Sequence, residues 1–244
     1  MIKLDHGGEE FVFENEWDTA VPITIRKKDG EEPVIEVFPT YEKEAEEFIK
    51  LYGDDPFTKE ALSYIWENIG EKMRKRGYEE DGGTNSREKI REKYYYTYVL
   101  KSPDEVKRDV ILPTTFPLSK KNIRGTKNMT TFDLPLYIEE EMISFVTVED
   151  KKVLSIASEN TSCSEDFDDE DMPVVEIGVE THKDYRGKGY AASNAASLCL
   201  ELLKDNDCYV TYETANDNVS SQKCAEKVGF KRYGSCYYYV MRRK

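Results

Sequence analysis

A strand that runs through two closely spaced glycines directly into a helix is the tightest constraint on how this 244-residue chain can fold. Residues 174–192 read VVEIGVETHKDYRGKGYAA: a β-type run, then Arg186-Gly187-Lys188-Gly189-Tyr190-Ala191, then a run of small residues. Glycine lets the backbone turn left-handed and approach a ligand closely. A helix that begins at such a turn aims several unpaired N–H groups at one point. Corners of this kind take anions, phosphates above all. Downstream, Ala191, Ala195, Leu198, Cys199 and Leu202 recur at helical spacing, so the helix has an apolar face and a mouth lined by small side chains.

The rest of the chain narrows what the phosphate could belong to. With a net charge of −14, the sequence lacks the basic footprint that a nucleic acid or an anionic membrane requires, so neither is expected as a partner. No apolar run approaches the ~20 residues of a membrane span. The start, MIKLDHGGEE, has neither the basic nor the apolar region of a signal peptide, and a cytoplasmic location is expected. Five scattered cysteines without a CxxC pair read as reduced thiols, and two histidines rule out a histidine-rich metal site, so no metal is expected. The acidic loop EDFDDED (165–171) reads either as an attractor of cationic amines or simply as a solvated loop.

Length allows one large domain or two small ones. Residues 9–38 are β-rich: FVF and ITI alternate with polar positions, and Asp29-Gly30 signals a hairpin before VIEVF. Residues 41–53 predict a helix with Ala45, Phe48, Ile49 and Tyr52 on one face. Asp55-Pro56 reads as the cap and first residue of a second, which carries Phe57, Ala61, Ile65, Ile69 and Met73 and stops at Gly77. A loop over 79–86, a short charged helix and the strand YYYTYVL (94–100) follow. Residues 101–128, rich in Pro, Ser, Lys and Asn, are the best boundary, and the expected domains are 1–125 and 126–244. Beyond it the chain reads β-β-β-α-β-α-β, an α/β arrangement built on a mixed sheet.

Two readings of the glycines compete. Gly187-Lys188-Gly189-Tyr190-Ala191-Ala192 fits the dinucleotide pattern G-x-G-x-x-A, with Glu213 about 20 residues on. Against it, six residues separate the strand from the first glycine, and only 52 residues remain after Ala192 for a second mononucleotide half. The other reading is a resemblance. Arg186-Gly187-Lys188-Gly189-Tyr190-Ala191 resembles the acyl-CoA loop of the GNAT superfamily of N-acetyltransferases. EIGVET and CYVTYE resemble that family's fourth and fifth strands. Asn218-Val219-Ser220-Ser221 and Ala225-Glu226-Lys227-Val228-Gly229-Phe230 resemble its N-x-x-S…EK-x-GF segment, and CYYYVM closes the pattern. The likeness covers roughly residues 140–244 and touches the longer, zwittermicin-resistance-type members only loosely, which makes residues 1–125 an additional N-terminal α/β region, substrate-covering or accessory.

The resemblance implies the GNAT acyl-CoA N-acyltransferase fold and acetyl-CoA as cosubstrate, with an amine attacking directly in a ternary complex. It implies that amides of Gly187, Lys188, Gly189, Tyr190 and Ala191 cradle the pyrophosphate, with Arg186 and Lys188 either adding charge or standing as solvated cations. Backbone groups of Val179 and Thr181 would hold the pantetheine. Asn218, with Ser221 in the same segment, would contact the pantetheine, cap its helix, or do both. Glu176 is the first choice of base and Glu180 the second, since an alkylammonium must lose a proton before it attacks; Glu176, Gly178 and Glu180 share one strand face unless a bulge intervenes. The family often places an acidic tyrosine five residues before the Gly-Phe phenylalanine, where this chain has Ala225. The expected acceptor is a small cationic amine. Protein N-termini or lysines and a non-catalytic acyl-CoA-binding module stand as alternatives, and a homodimer is admitted.

Overall fold

The computed structural model describes residues 1–4, 19–80, 93–160, 172–205 and 207–243. The predicted strand FVF, the charged helix before Tyr94, Cys163 and the acidic loop 165–171 lie outside the described residues. The chain divides into two compact units, one of residues 1–96, 215–217 and 233–244, the other of 97–214 and 218–232. The division therefore falls at Tyr96/Thr97 and not at 125/126, and the last twelve residues return to the first unit. Residues 101–125 look like a linker in composition, yet they contribute two 3-10 turns and an edge strand to the second unit.

In the first unit, β1 (Ile2–Leu4), β3 (Ile23–Lys28) and β4 (Val34–Val37) join β13 (Lys231–Tyr238) in the order β1-β4-β3-β13. The Asp29-Gly30 hairpin forms as expected, with Gly30 left-handed at φ +88. A small sheet holds β2 (Thr19–Ala20), β14 (Met241–Arg243) and β5 (Tyr78–Glu80). The run CYYYVM is thus two strands in two sheets, broken at Tyr239-Val240, and β5 takes up the first two residues of the expected loop 79–86. Helix α1 (Glu42–Tyr52) buries Ala45 and Phe48 as its period requires. The next helix starts later than Asp55-Pro56 suggests: α2 (Lys59–Ile65) is capped by Thr58, whose hydroxyl accepts from Ala61 N–H at 3.1 Å. A π turn over Trp66–Gly70 then leads into α3 (Glu71–Lys75), so the four-residue spacing from Ile65 to Ile69 reflects a widened turn.

The second unit orders its strands β6-β12-β11-β10-β9-β7, from β6 (Tyr95–Leu100), β7 (Thr115–Pro117), β9 (Ser144–Glu149), β10 (Lys152–Asn160), β11 (Val174–Thr181) and β12 (Tyr209–Ala215). β8 (Lys127–Asn128) adds two rungs to β10. A helix not foreseen from the sequence, α4 (Leu134–Glu139), is capped by Asp133 and packs Leu134 with Val146, Val153 and Ile156 on one sheet face. On the other face lies α5 (Tyr190–Leu202), whose Asn194 Oδ1 accepts from Thr147 Oγ1 at 3.0 Å. Helix α6 (Val219–Val228) ends at Gly229, where Phe230 N–H reaches back to the Ala225 carbonyl at 3.1 Å. A Cβ on Gly229, at φ +119, would stand 2.1 Å from the Glu105 carbonyl oxygen. Gly229→Ala should therefore cost on the order of 3 kcal/mol, read as a shift of the urea midpoint.

Candidate active site

β11 is the element on which the site is built. Against β10 it is antiparallel and continuous, from Ser155↔Thr181 to Asn160↔Glu176, with no bulge. Against β12 it is parallel for three rungs only, Val174↔Tyr209, Val175↔Val210 and Glu176↔Thr211. Past that last rung both strands continue, and the described pairing between them stops.

The direction of the main-chain groups follows from alternation along a strand. Pro173 C=O accepts from Tyr209 N–H at 2.8 Å, on the β12 side, and His182 N–H donates to Leu154 C=O at 2.9 Å, on the β10 side. The polar groups of Val175, Ile177, Val179 and Thr181 therefore point toward β12, and those of Val179 and Thr181 lie beyond the final rung. These groups can accept an extended polar chain entering between the strands, as a further strand would.

The side chains divide by the same rule. Thr181 faces α5, where its hydroxyl meets Ser155 Oγ at 2.8 Å. Glu176, Gly178 and Glu180 face the opposite way, toward the segment before α4: a Cβ on Gly178 would lie 3.7 Å from the Phe132 ring. Glu180 Oε2 accepts from Thr131 N–H at 2.9 Å and Thr131 Oγ1 at 2.7 Å. Glu176 is half-buried at the point where the strands part.

At the end of β11 the glycine turn opens α5. Gly187 and Gly189 are left-handed, at φ +80 and +85. No side chain caps the helix, no acidic residue sits in its first turn, and its first bond runs from Ser193 N–H to the Gly189 carbonyl at 3.0 Å. The N–H groups of Tyr190, Ala191 and Ala192 thus have no acceptor within the helix. Nothing lies within 4 Å of a Cβ placed on Gly187, and only Lys227 Nζ, at 3.7 Å, approaches one on Gly189. Lys188 Nζ rests over the Tyr185 and Tyr190 rings at 5.2 and 5.8 Å. Arg186 Nε donates to Thr181 C=O at 3.2 Å and ties the turn to the strand. In a chain of net charge −14, the turn is flanked by two lysines and an arginine, a local concentration of positive charge.

Tyr190 itself is buried, and its hydroxyl donates to Glu149 Oε2 at 2.7 Å. That bond, together with burial, pushes the phenol up to about 12. Its side chain thereby anchors the helix start to β9.

The sequence model of the GNAT acetyltransferase family matches residues 26–239. The chain belongs to that family. The match reaches well upstream of residue 140, where the motif resemblance begins, so most of the expected accessory region is part of the family's own pattern. The family's α/β fold class with a mixed sheet is the one observed, and the dinucleotide reading falls. Over 64 residues the chain is 36% identical to an uncharacterized N-acetyltransferase, YjdG, of Bacillus subtilis. That stretch is 26% of this chain and 38% of the relative, well under two thirds of its length. Among solved structures, a putative GNAT acetyltransferase from Novosphingobium aromaticivorans is 14% identical, with 69% of this chain and 68% of that one covered at a TM-score of 0.46. YncA, a putative acetyltransferase from Salmonella typhimurium solved with acetyl-CoA, is 16% identical, covering 53% of this chain and 92% of that one at a TM-score of 0.37.

Placed against the GNAT motifs, Asn218 caps α6: its Oδ1 accepts from Ser221 N–H at 3.2 Å and from Ser220 Oγ at 2.9 Å. Ser221 Oγ meets the Tyr212 hydroxyl at 2.8 Å. Ala225 is fully buried. Tyr237 and Tyr239 are core residues, the second donating to Glu80 Oε1 at 3.2 Å. Sequence reasoning missed Thr131 and Phe132, which come to β11 from 45 or more residues upstream, and Lys227, which helix α6 carries to the glycine turn. Among the described residues no group of His, Cys, Asp and Glu could hold a metal, and no helix is long and apolar enough to cross a membrane.

Proposed function

We propose that this protein moves an acetyl group from acetyl-CoA to the amine of a small cationic molecule, in the cytoplasm. The observation that carries the reading is the parting of β11 and β12 beyond Glu176↔Thr211, next to an uncapped helix with two left-handed glycines at its mouth. The residues present fit acetyl-CoA: the N–H groups of Gly187 to Ala191, with Lys188 and Lys227, suit a diphosphate. The main-chain N–H and C=O of Val179 and the N–H of Thr181, whose carbonyl Arg186 already occupies, suit the amides of the pantetheine arm. Asn218 and Ser221 hold the α6 end of the same unit.

Acetyl-CoA, when bound, supplies an acetyl thioester whose C–S bond is exchanged for a C–N bond, with release of the free thiol. An alkylammonium has a pKa near ~10 and reacts only after losing a proton. Glu176 is the base that takes it, being the carboxylate at the vertex of the split. Glu180 is the second choice, and its two bonds from Thr131 fit it better for orientation than for proton transfer. With Ala225 in place of a tyrosine, this chain places no acid there, and the thiolate takes its proton from solvent.

Calorimetric titration with acetyl-CoA should give a saturable site. A panel of polyamines, aminoglycosides, amino acids and peptides, scored for free CoA, should give turnover with a cationic small molecule. No affinity for acetyl-CoA would end the reading. The buried Ala225 favours one alternative, a non-catalytic acyl-CoA-binding module, and tight binding without thiol release across the whole panel would select it.

A further inference from the structure

On the face of β11 turned away from α5, Glu176 and Glu180 stand two alternations apart, about 13 Å along the strand. Thr211 pairs with Glu176 across the last parallel rung, so its side chain emerges on that same face, and Glu213 follows it there two residues later. Thr211 is 2% exposed, and its Oγ1 has no hydrogen-bond partner among the described residues. A buried hydroxyl left unpaired costs roughly 1–3 kcal/mol unless a ligand or water meets it. Between the two β11 carboxylates, the half-buried Phe132 ring packs over Gly178, in van der Waals range at 3.7 Å from where a Cβ would stand. Both bonds to Glu180 go to Oε2, which fixes the carboxylate and leaves Oε1 for another donor.

We propose that this face is the acceptor subsite and that its occupant is a linear polyamine. One ammonium lies at Glu176, Glu213 and the Thr211 hydroxyl, the methylene chain passes over the outer side of the half-buried Phe132 ring, and a second ammonium lies at Glu180. A ring face beside the chain favours a cation further. The identification of the site as the acceptor side rests on the acetyltransferase reading; the polyamine site itself is tested without turnover. At physiological ionic strength, where surface charges beyond about 8 Å are screened, the full chain is titrated calorimetrically with spermidine and with 1-aminobutane. Spermidine should bind about tenfold or more tightly than the monoamine. Glu180→Gln should weaken spermidine about fivefold and leave 1-aminobutane unchanged, whereas Glu213→Gln and Thr211→Val should weaken both. Thr211→Ser, which keeps the hydroxyl, should bind like the parent. Glu46→Gln, at an exposed position of α1, should change nothing. Equal affinity for the two amines, indifference to Glu180→Gln, or an equal loss in Glu46→Gln would overturn the proposal. If the spermidine pattern holds while acetyl-CoA does not bind, the acetyltransferase reading falls and the polyamine site stands.

Discussion

Gly189→Ala is expected to weaken acetyl-CoA binding by about two orders of magnitude while the protein stays folded. At φ +85 a side chain costs about 1 kcal/mol or more in backbone energy. The new methyl would also occupy the mouth of α5, where a phosphate must approach the N–H groups of Tyr190, Ala191 and Ala192 and the ammonium of Lys227, 3.7 Å away. Losing one or two charge-assisted bonds of roughly 1.5–3 kcal/mol each gives the hundredfold, at 1.4 kcal/mol per factor of ten. The control is Gly30→Ala, a hairpin glycine at φ +88 with nothing within 4 Å of its missing Cβ. It pays the same backbone strain and should leave acetyl-CoA affinity untouched. If Gly189→Ala binds as the parent does, the glycine turn is not the diphosphate cradle.

Glu176→Gln should lower the turnover number by roughly 10²–10⁴-fold, the range for loss of a general base, with acetyl-CoA affinity held within about twofold. The substitution is isosteric at a half-buried position and leaves the β11 main chain, which carries the expected thioester contacts, in place. The loss should shrink as pH rises, because the neutral fraction of an acceptor with a pKa near ~10 grows about tenfold per pH unit below that value. A variant with full activity, or one whose defect is flat across pH, removes Glu176 from proton transfer.

The β11–glycine–α5 unit was legible from the sequence because two local codes coincide there: the β-type run ends at Thr181, and only glycine is comfortable at the left-handed positions 187 and 189. The hairpin at Gly30, the α1 face and the strand–helix order after residue 140 were readable for the same local reasons. What failed was set by distant contacts or by near-degenerate local choices. Apolar residues every four positions suit an α-helix, so nothing marked the π turn at Trp66–Gly70. In CYYYVM every residue is strand-prone, and only pairing with different partners divides it at Tyr239. Thr131 reaches Glu180 across 49 residues, a contact without a sequence signature. Residues 101–125 carry the composition of a linker, yet Thr115–Pro117 pair with β9 as an edge strand.

The chain path has a consequence for dissecting this protein. Its first unit is assembled from residues 1–96, 215–217 and 233–244, so the polypeptide leaves it and re-enters twice. A cut at the Tyr96/Thr97 boundary would separate β13 from β3 and β14 from β2 and β5. Because the first unit draws its strands from both ends of the polypeptide, a contiguous N-terminal fragment of residues 1–96 would lack the partners that β3, β2 and β5 take from residues 233–243.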